Sequence, residues 1–495
     1  MGDEQHILNT FVILLIKNMK RSIILLLTFF CFARAEAQLF KITLHAVNYK
    51  SGVAYLAYYM GKDLDAEDSA AININGVAVF TGKRRLPGGI YSIVFPGKNK
   101  AVDFLIDTEQ VLTIKADTTD LVNKVTVTGS KANPAFFRYQ KFIAEKGKEL
   151  NRERTSYMQA TTSNDSLLYE NNYNTLFQQL DKYRDSIIQY QPNSMMTVLL
   201  NAMKEPTPEI KKPVTHADSI ANFNYYKAHY WDGITFMDER VIRTPFFLPK
   251  LERYYRQVIE QNADTIIQAS DYQMLLARSC PEMYKFLLNW LTDEYINPKY
   301  MGEDAVFVHL YNNYHSKGLS PWLSQKQDSI ISRRAMMLMS NLIGDQGADL
   351  HLLDTAGKAT TLYDVNADYT LICFWDPSCG HCQKLVPEID SIYNASWKQH
   401  NLKVFAVLTE DHVPEWKKYI HEHHLDDWVN AYETKEMEDA DYAAQRPDFK
   451  QLYDVTITPT LFLLDKEKHI IAKKLTWEQI DDFLHVKWNT KTAVN

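Results

Sequence analysis

The sequence predicts a multidomain chain: an antiparallel β-sandwich, then an α-helical region, then an α/β domain. Three observations carry this reading. Short runs with period-two alternation fill the stretch up to about Gly129, apolar residues at a spacing near 3.6 fill the stretch from Asn133 to about Leu342, and after Ile343 continuous apolar runs alternate with helical segments. A length of 495 residues suits about three domains of roughly 150 residues each. A hydrophobic fraction of 46% with 23% charged residues excludes wholesale disorder and collagen-like repetition. With 54 Lys and Arg against 61 Asp and Glu the net charge is −7, so no excess positive field attracts phosphate backbones and nucleic acid is not an expected partner.

The β-region, 38–133, contains FKITLHAV (40–47), VAYLAYY (53–59), AININGVAVF (71–80), IYSIVF (90–95), AVDFLID (101–107), QVLTIKA (110–116) and KVTVTG (124–129), separated by Gly, Pro, Asn and Asp. It shows no catalytic-looking cluster of His, Cys or carboxylates and reads as a binding or dimerisation module. Asn133-Pro134 opens the helical region, 134–342, since Asn suits an N-cap and Pro the first helical position. Leu251, Tyr254, Tyr255, Val258 and Ile259 form one apolar stripe, and Met283, Phe286, Leu287, Trp290 and Leu291 another. Pro206, Pro208 and Pro213 divide this region in two by a loop or hinge. The aromatic stripes are core, and Cys280 before Pro281 is a buried or idle thiol.

The N-terminus reads as a targeting segment. Met19-Lys20-Arg21, the apolar run from Ser22 to Phe32 and Ala33-Arg34-Ala35-Glu36-Ala37 describe a secretory signal peptide cut after Ala37, with translation starting at Met19. An uncleaved anchor is disfavoured because neither apolar block approaches the roughly 20 residues of a membrane span. Cys31 is a poor lipid-acceptor cysteine, because bulky Phe29 and Phe30 precede it. The expected location is the periplasm or cell envelope, where thiol chemistry matters.

The region 343–495 carries the chemistry. YTLICFW (369–375) and LKVFAVL (402–408) read as strands buried on both faces, TLFLLD (460–465) and HIIAKKL (469–475) follow, and Thr476-Trp477-Glu478-Gln479 is a capping box. Cys379-Gly380-His381-Cys382 follows the first of these strands and begins a helix with Leu385, Ile389 and Ile392 on its apolar face. Unpaired N–H groups and the positive dipole end at a helix start stabilise a thiolate, so Cys379 is the expected acidic thiol, with protonated His381 adding charge. Cys382, one turn inside, is placed to resolve a mixed disulfide on Cys379.

The segment Phe374-Trp375-Asp376-Pro377-Ser378-Cys379-Gly380-His381-Cys382, with Pro387 beyond it, resembles the active-site segment of the thioredoxin superfamily. More closely, 343–495 is similar to the TlpA/ResA-type envelope thioredoxins, through Ile343-Gly344, the Leu353-Asp354-x-x-Gly357 turn and an insertion before the final hairpin. The resemblance implies a thioredoxin-fold thiol:disulfide oxidoreductase whose Cys379 and Cys382 are catalytic, with Trp375, Pro377, Gly380 and His381 supporting them. It implies that Pro459, in Ile457-Thr458-Pro459-Thr460, is cis, and that Thr458 and Pro459 bind substrate. The β-region resembles the domain in front of many such proteins through Asp68-Ser69-Ala70 and Gly129-Ser130-x-x-Asn133, and the helices resemble the uncharacterised module of the same architecture. One departure stands out. The buried acid that many thioredoxins carry two residues before the active-site Trp is here Cys373, leaving water, His381 or Glu388 as candidate proton acceptors.

Rival readings are weaker. A zinc site lacks two further ligands, His421, His423 and His424 lie on a charged helical face, Gln383 stands where haem attachment needs His, and Asp376 stands where peroxiredoxins place Thr. No cofactor or metal is expected. The alternative of another class is an envelope binding or scaffold protein with a thioredoxin fold and a merely structural disulfide. The expected partners are protein disulfide or dithiol clients and a membrane electron donor, with homodimerisation through the upstream modules. Cys-Gly-His-Cys resembles the protein disulfide isomerase pair and pulls toward oxidant or isomerase, whereas the TlpA/ResA likeness pulls toward reductase, the preferred direction.

Overall fold

The structure, a computed structural model, describes residues 38–210 and 213–492, with side chains to Asn489. The predicted signal peptide and Cys31 lie outside the described residues. The chain forms two compact units that divide within the helical stretch, between Glu252 and Arg253.

The first unit is a β-sandwich with helices on one side. Its strands are β1 (Phe40–Ala46), β2 (Val53–Met60), β3 (Asp63–Ala71), β4 (Val77–Gly82), β5 (Gly89–Val94), β6 (Ala101–Ile106), β7 (Val111–Ala116) and β8 (Val125–Thr128). They pair as β4-β1-β7-β8 and β3-β2-β5-β6. Every pairing is antiparallel except β1 with β7, which is parallel. Ile42, Leu44, Phe80 and Ile114 of one sheet meet Leu56, Tyr91, Ile93 and Phe104 of the other in a common core. The run 71–80 is two strands, because Asn73 turns the chain: its Oδ1 accepts from the N–H groups of Asn75 (2.9 Å) and Val77 (3.0 Å). Gly76, at φ +76°, completes the turn in the left-handed region that glycine enters without strain.

Behind the second sheet lie α1 (Asn133–Gln159), α2 (Ser163–Tyr190) and α3 (Met195–Met203), which bury Phe136, Tyr139, Leu180, Met195 and Leu199 against Ile90 and Leu105. Pro134 is in the first turn as expected, but Asn133 is not the cap. Its buried amide instead donates to Leu105 O (2.7 Å) and accepts from Leu105 N–H (2.8 Å), fastening α1 to β6. The proline-rich stretch falls between α3 and α4 (His216–Ala228), and α5 (Phe247–Arg253) ends at the division.

The second unit joins four helices to a mixed sheet. The helices are α6 (Ala263–Ala277), α7 (Pro281–Tyr295), α8 (Asp304–Leu310) and α9 (Gln325–Met339). Strands β9 (His351–Asp354), β10 (Ala359–Thr361), β11 (Tyr369–Trp375), β12 (Leu402–Leu408), β13 (Val429–Tyr432), β14 (Thr460–Asp465) and β15 (Ile470–Lys473) pair in the order β10-β9-β13-β12-β11-β14-β15. β11 runs parallel to β12 and antiparallel to β14. All seven residues of β11 are buried, as its unbroken apolar run predicts. On one face Leu371, Cys373, Trp375, Val404 and Leu463 pack against α10 (Cys382–Ala395), α11 (Val413–Glu422) and the last helix. On the other, Ile372, Phe374, Phe405 and Phe462 meet Leu350, Leu362, Phe449 and Tyr453. The insertion between β13 and β14 holds α12 (Lys435–Ala443) and α13 (Phe449–Leu452).

The helices are bound to the sheet's β15 edge by buried charge. Lys473 Nζ pairs with Asp304 and donates to Asn341 O (2.6 Å) and Asn341 Oδ1 (2.9 Å). Nearby, Asp454 accepts from Arg334 (2.5 Å) and from Lys474. The chain ends in α14 (Trp477–Thr492), opened by the predicted capping box: Gln479 N–H donates to Thr476 Oγ1 (3.4 Å), and Thr476 N–H donates to Gln479 Oε1 (3.0 Å).

Candidate active site

Strand β11 ends at Trp375, and the six residues between it and α10 carry the first cysteine. The helix proper begins at Cys382, with His381 at its N-cap, so Cys379 stands just outside the helix rather than in its first turn. The helical bond pattern nonetheless reaches back: Gln383 N–H donates to Cys379 O (3.0 Å). The chain beside the pair is Thr458-Pro459, and that peptide bond is cis, as the resemblance implies. Thr458 O accepts from the Cys379 thiol at 3.4 Å. The structure therefore brings together Cys379, Cys382 and the Thr458-Pro459 segment.

The two thiols differ in environment. Cys379 is partly exposed and Cys382 fully buried, and both are free thiols. Burial works to raise the Cys379 pKa, but the backbone N–H groups of Cys382 and His381, with the Thr458 and Cys382 side chains, outweigh it and hold the thiol below its ordinary value. For Cys382 burial wins, and its thiol is pushed up to about 12. A partly exposed acidic sulfur before a shielded, protonated one is the division of labour that thiol–disulfide exchange requires.

Among the expected supporting residues, Trp375 is fully buried and meets Tyr419 edge to face at 5.3 Å. Pro377 O accepts from Gln383 Nε2 (2.8 Å), which ties the loop to the helix. Gly380 is exposed, with no heavy atom near the place a Cβ would take. His381 is also exposed and acts on Cys379 through its peptide N–H. Glu388 accepts from Trp477 Nε1 (3.0 Å), and Cys373 is buried with its thiol pushed far above the ordinary range by burial and by neighbouring Cys382. On and beyond α11, His421 is exposed and His423 stacks on Tyr419 at 4.0 Å.

Two residues at the site escaped sequence reasoning as participants. Asp376 is buried beneath the loop, and His412, from the loop after β12, lies 2.8 Å from its carboxylate. An acid in an apolar approach to CxxC was a visible signal. His412 had none, being 36 positions distant.

A central mixed sheet, a CxxC at the mouth of its buried strand and a cis-proline beside the first cysteine define a thioredoxin-like protein. Residues 343–473 match the AhpC/TSA family, and residues 40–136 match a domain of unknown function, DUF4369. Residues 343–473 are thus an AhpC/TSA-type, thioredoxin-like domain with weak similarity to ResA-type thiol-disulfide oxidoreductases. It is 23% identical over 145 residues to the thiol-disulfide oxidoreductase ResA of Bacillus thuringiensis, covering 29% of this chain and 76% of that one. The crystal structure of a domain of a possible thiol-disulfide isomerase from Cytophaga hutchinsonii is 35% identical, covering 31% of this chain and 97% of the other, with a TM-score of 0.27. A thioredoxin-like protein from Bacteroides caccae is 20% identical, covering 57% of this chain and 98% of the other, with a TM-score of 0.43.

Proposed function

We propose that the protein is an envelope thiol:disulfide reductase for protein clients. The observation that carries this reading is the asymmetry of the pair, a partly exposed sulfur held acidic by N–H donors in front of a buried one kept protonated. The Cys379 thiolate attacks a client disulfide, forming a bond between Cys379 and the client and releasing one client thiolate, which takes up a proton. Cys382 then loses its proton and attacks the Cys379 sulfur. The mixed disulfide breaks, the Cys379–Cys382 disulfide forms, and the second client thiolate leaves. Two electrons pass from protein to client, and a dithiol electron donor at the membrane restores the pair. Thr458 and Pro459 offer backbone beside Cys379 along which an extended client segment lies.

The basic start, apolar run and Ala-x-Ala site support export. The upstream modules serve as client-presenting or dimerising elements, which the oligomeric state of the full chain in size-exclusion chromatography checks.

The test is insulin reduction by the purified protein together with trapping by Cys382→Ala. Turnover and an accumulating mixed disulfide on Cys379 are expected; absence of both rejects the enzyme in favour of a scaffold. Titration of the pair against glutathione decides direction: a potential near about −150 mV, the range of oxidants and isomerases, rejects the reductase assignment.

A further inference from the structure

Asp376 is a charged residue only 2% exposed, directly after the strand that carries the active site. Burying a carboxylate is costly unless donors replace its water, and here three do. Ser378 N–H donates to Oδ1 at 2.7 Å, the Ser378 hydroxyl donates to the same oxygen, and His412 Nδ1 donates to Oδ2 at 2.8 Å. Burial works to raise the Asp376 pKa, but the Ser378 and His412 contacts outweigh it and keep the group ionised.

The peptide groups of the same residue meet both cysteines. Asp376 O accepts from Cys379 N–H (3.2 Å), and its N–H faces the Cys382 sulfur, opposing the rise that burial imposes on that thiol. The preceding residue is tied to the same neighbouring loop, Thr409 N–H donating to Trp375 O at 3.1 Å. That backbone bond asks nothing of the side chains, whereas the bond between Asp376 and His412 requires both.

His412 is held above its ordinary pKa by its hydrogen bond and charge interaction with Asp376, with Glu415 and Glu410 adding to it and partial burial opposing. The charged groups facing the imidazole are thus Asp376 from the active-site loop and Glu410 and Glu415 from its own loop and helix. Lys450 of the insertion pairs with Glu410 at 3.3 Å.

We infer that Asp376 and His412 form a positioning pair for the two cysteines: the carboxylate fixes the peptide that hydrogen-bonds both, and the imidazolium neutralises the negative charge carried by the loop that leads to Cys379. The inference rests on the redox reading for its consequence, but its test does not need a client. With His412 charged the pair is neutral. With His412 removed, the Asp376 carboxylate, three residues before Cys379, is left uncompensated in the active-site loop, disfavouring the thiolate and drawing the potential of the cysteine pair downward.

The experiment measures iodoacetamide alkylation of Cys379 across pH in the reduced full chain, followed by mass spectrometry, with the reduction potential taken in parallel. His412→Ala, a change at a half-exposed side chain, is expected to slow alkylation near pH 6.5 about threefold, to move the profile to higher pH and to make the potential more negative. Asp376→Asn keeps an acceptor for Ser378 but removes both the charge to be neutralised and the main partner that keeps His412 protonated, so in that background His412→Ala is expected to have a clearly smaller effect on both readouts. An unchanged profile and potential in His412→Ala overturns the inference. So does an equal loss in the Asp376→Asn background, or the same shift from His421→Ala at an exposed histidine of α11. Failure of the wild-type protein to reduce insulin together with failure of Cys382→Ala to trap a client rejects the oxidoreductase reading instead and leaves these profiles interpretable.

Discussion

Two sulfurs three positions apart are driven in opposite directions, and the protonation of the reduced protein follows from that. In the unfolded chain both thiols titrate near about 8.5. Folded Cys379 lies below its ordinary value, so between its folded pKa and about 8.5 the folded dithiol binds fewer protons than the unfolded chain. Stability of the reduced form rises with pH through that window and is lost as pH falls through the folded Cys379 pKa. Cys382, raised to about 12, acts in reverse: its contribution is complete below about 8.5 and is lost as pH rises toward its folded value, with buried Cys373 acting in the same sense. Urea midpoints of the reduced protein from pH 5 to 10 are expected to rise and then fall. Cys379→Ala is expected to remove the rising limb and Cys382→Ala to weaken the falling one; a flat profile in the parent protein contradicts both assignments. Cys373 is inert in exchange because its thiol stays protonated, so Cys373→Ala is expected to leave client trapping intact and to cost about 1 kcal/mol in urea unfolding for the small cavity it leaves. The spacing Cys379-x-x-Cys382 made the centre legible in sequence, but its electrostatics were legible only in part. The thiolate donors at a helix start follow from chain order, whereas the meeting of Asp376 with His412 is a contact between two loops that no local pattern encodes.

At the scale of elements, period-two alternation located the strands whose inner faces are buried and failed where it had nothing to report. β3, DLDAEDSAA, has no fully buried residue, so its sequence shows no apolar face even though it pairs with β2 along its length. Likewise Asn133 was legible as a helix start and not as what it does there, because its partner is the backbone of Leu105 in another element. That fastening is open to test. Asn133→Ala leaves the buried N–H and C=O of Leu105 without their side-chain partners, and a loss of about 1–3 kcal/mol is expected in urea unfolding followed by a probe on the first unit. A loss below about 0.5 kcal/mol, typical of surface substitutions, contradicts the fastening role. The Leu353-to-Gly357 turn was read correctly, because all its chemistry is local: Asp354 Oδ1 accepts from Ala356 and Lys358 N–H groups, both at 2.9 Å, and Gly357 supplies φ +77°.

Across the whole molecule, the redox domain has helices of its own. Residues 253–342 and 343–492 lie in one compact unit, and the contacts joining them include a buried ion pair centred on Lys473, whose side chain is 5% exposed against 2% for Asp304. A pair so deeply buried is costly to break from one side, because the remaining charge has neither water nor partner. Lys473→Met is therefore expected to destabilise the second unit by about 3–5 kcal/mol, and Lys473→Met combined with Asp304→Leu to recover much of that loss. Removing the helices altogether takes partners from the same groups, since Lys473 loses Asp304 and Asn341, while Asp454 loses Arg334 and keeps Lys474. In a fragment 343–495 these side chains reach water, so the helices contribute stability without being needed for the fold of the sheet. A fragment 253–495 is accordingly expected to melt about 10 °C above 343–495, taking a few kcal/mol at about 2–4 °C each for a unit of this size. Equal melting temperatures mean that the helices are passengers on the β15 edge. A difference of the expected size makes them part of the platform on which Cys379 and Cys382 are held.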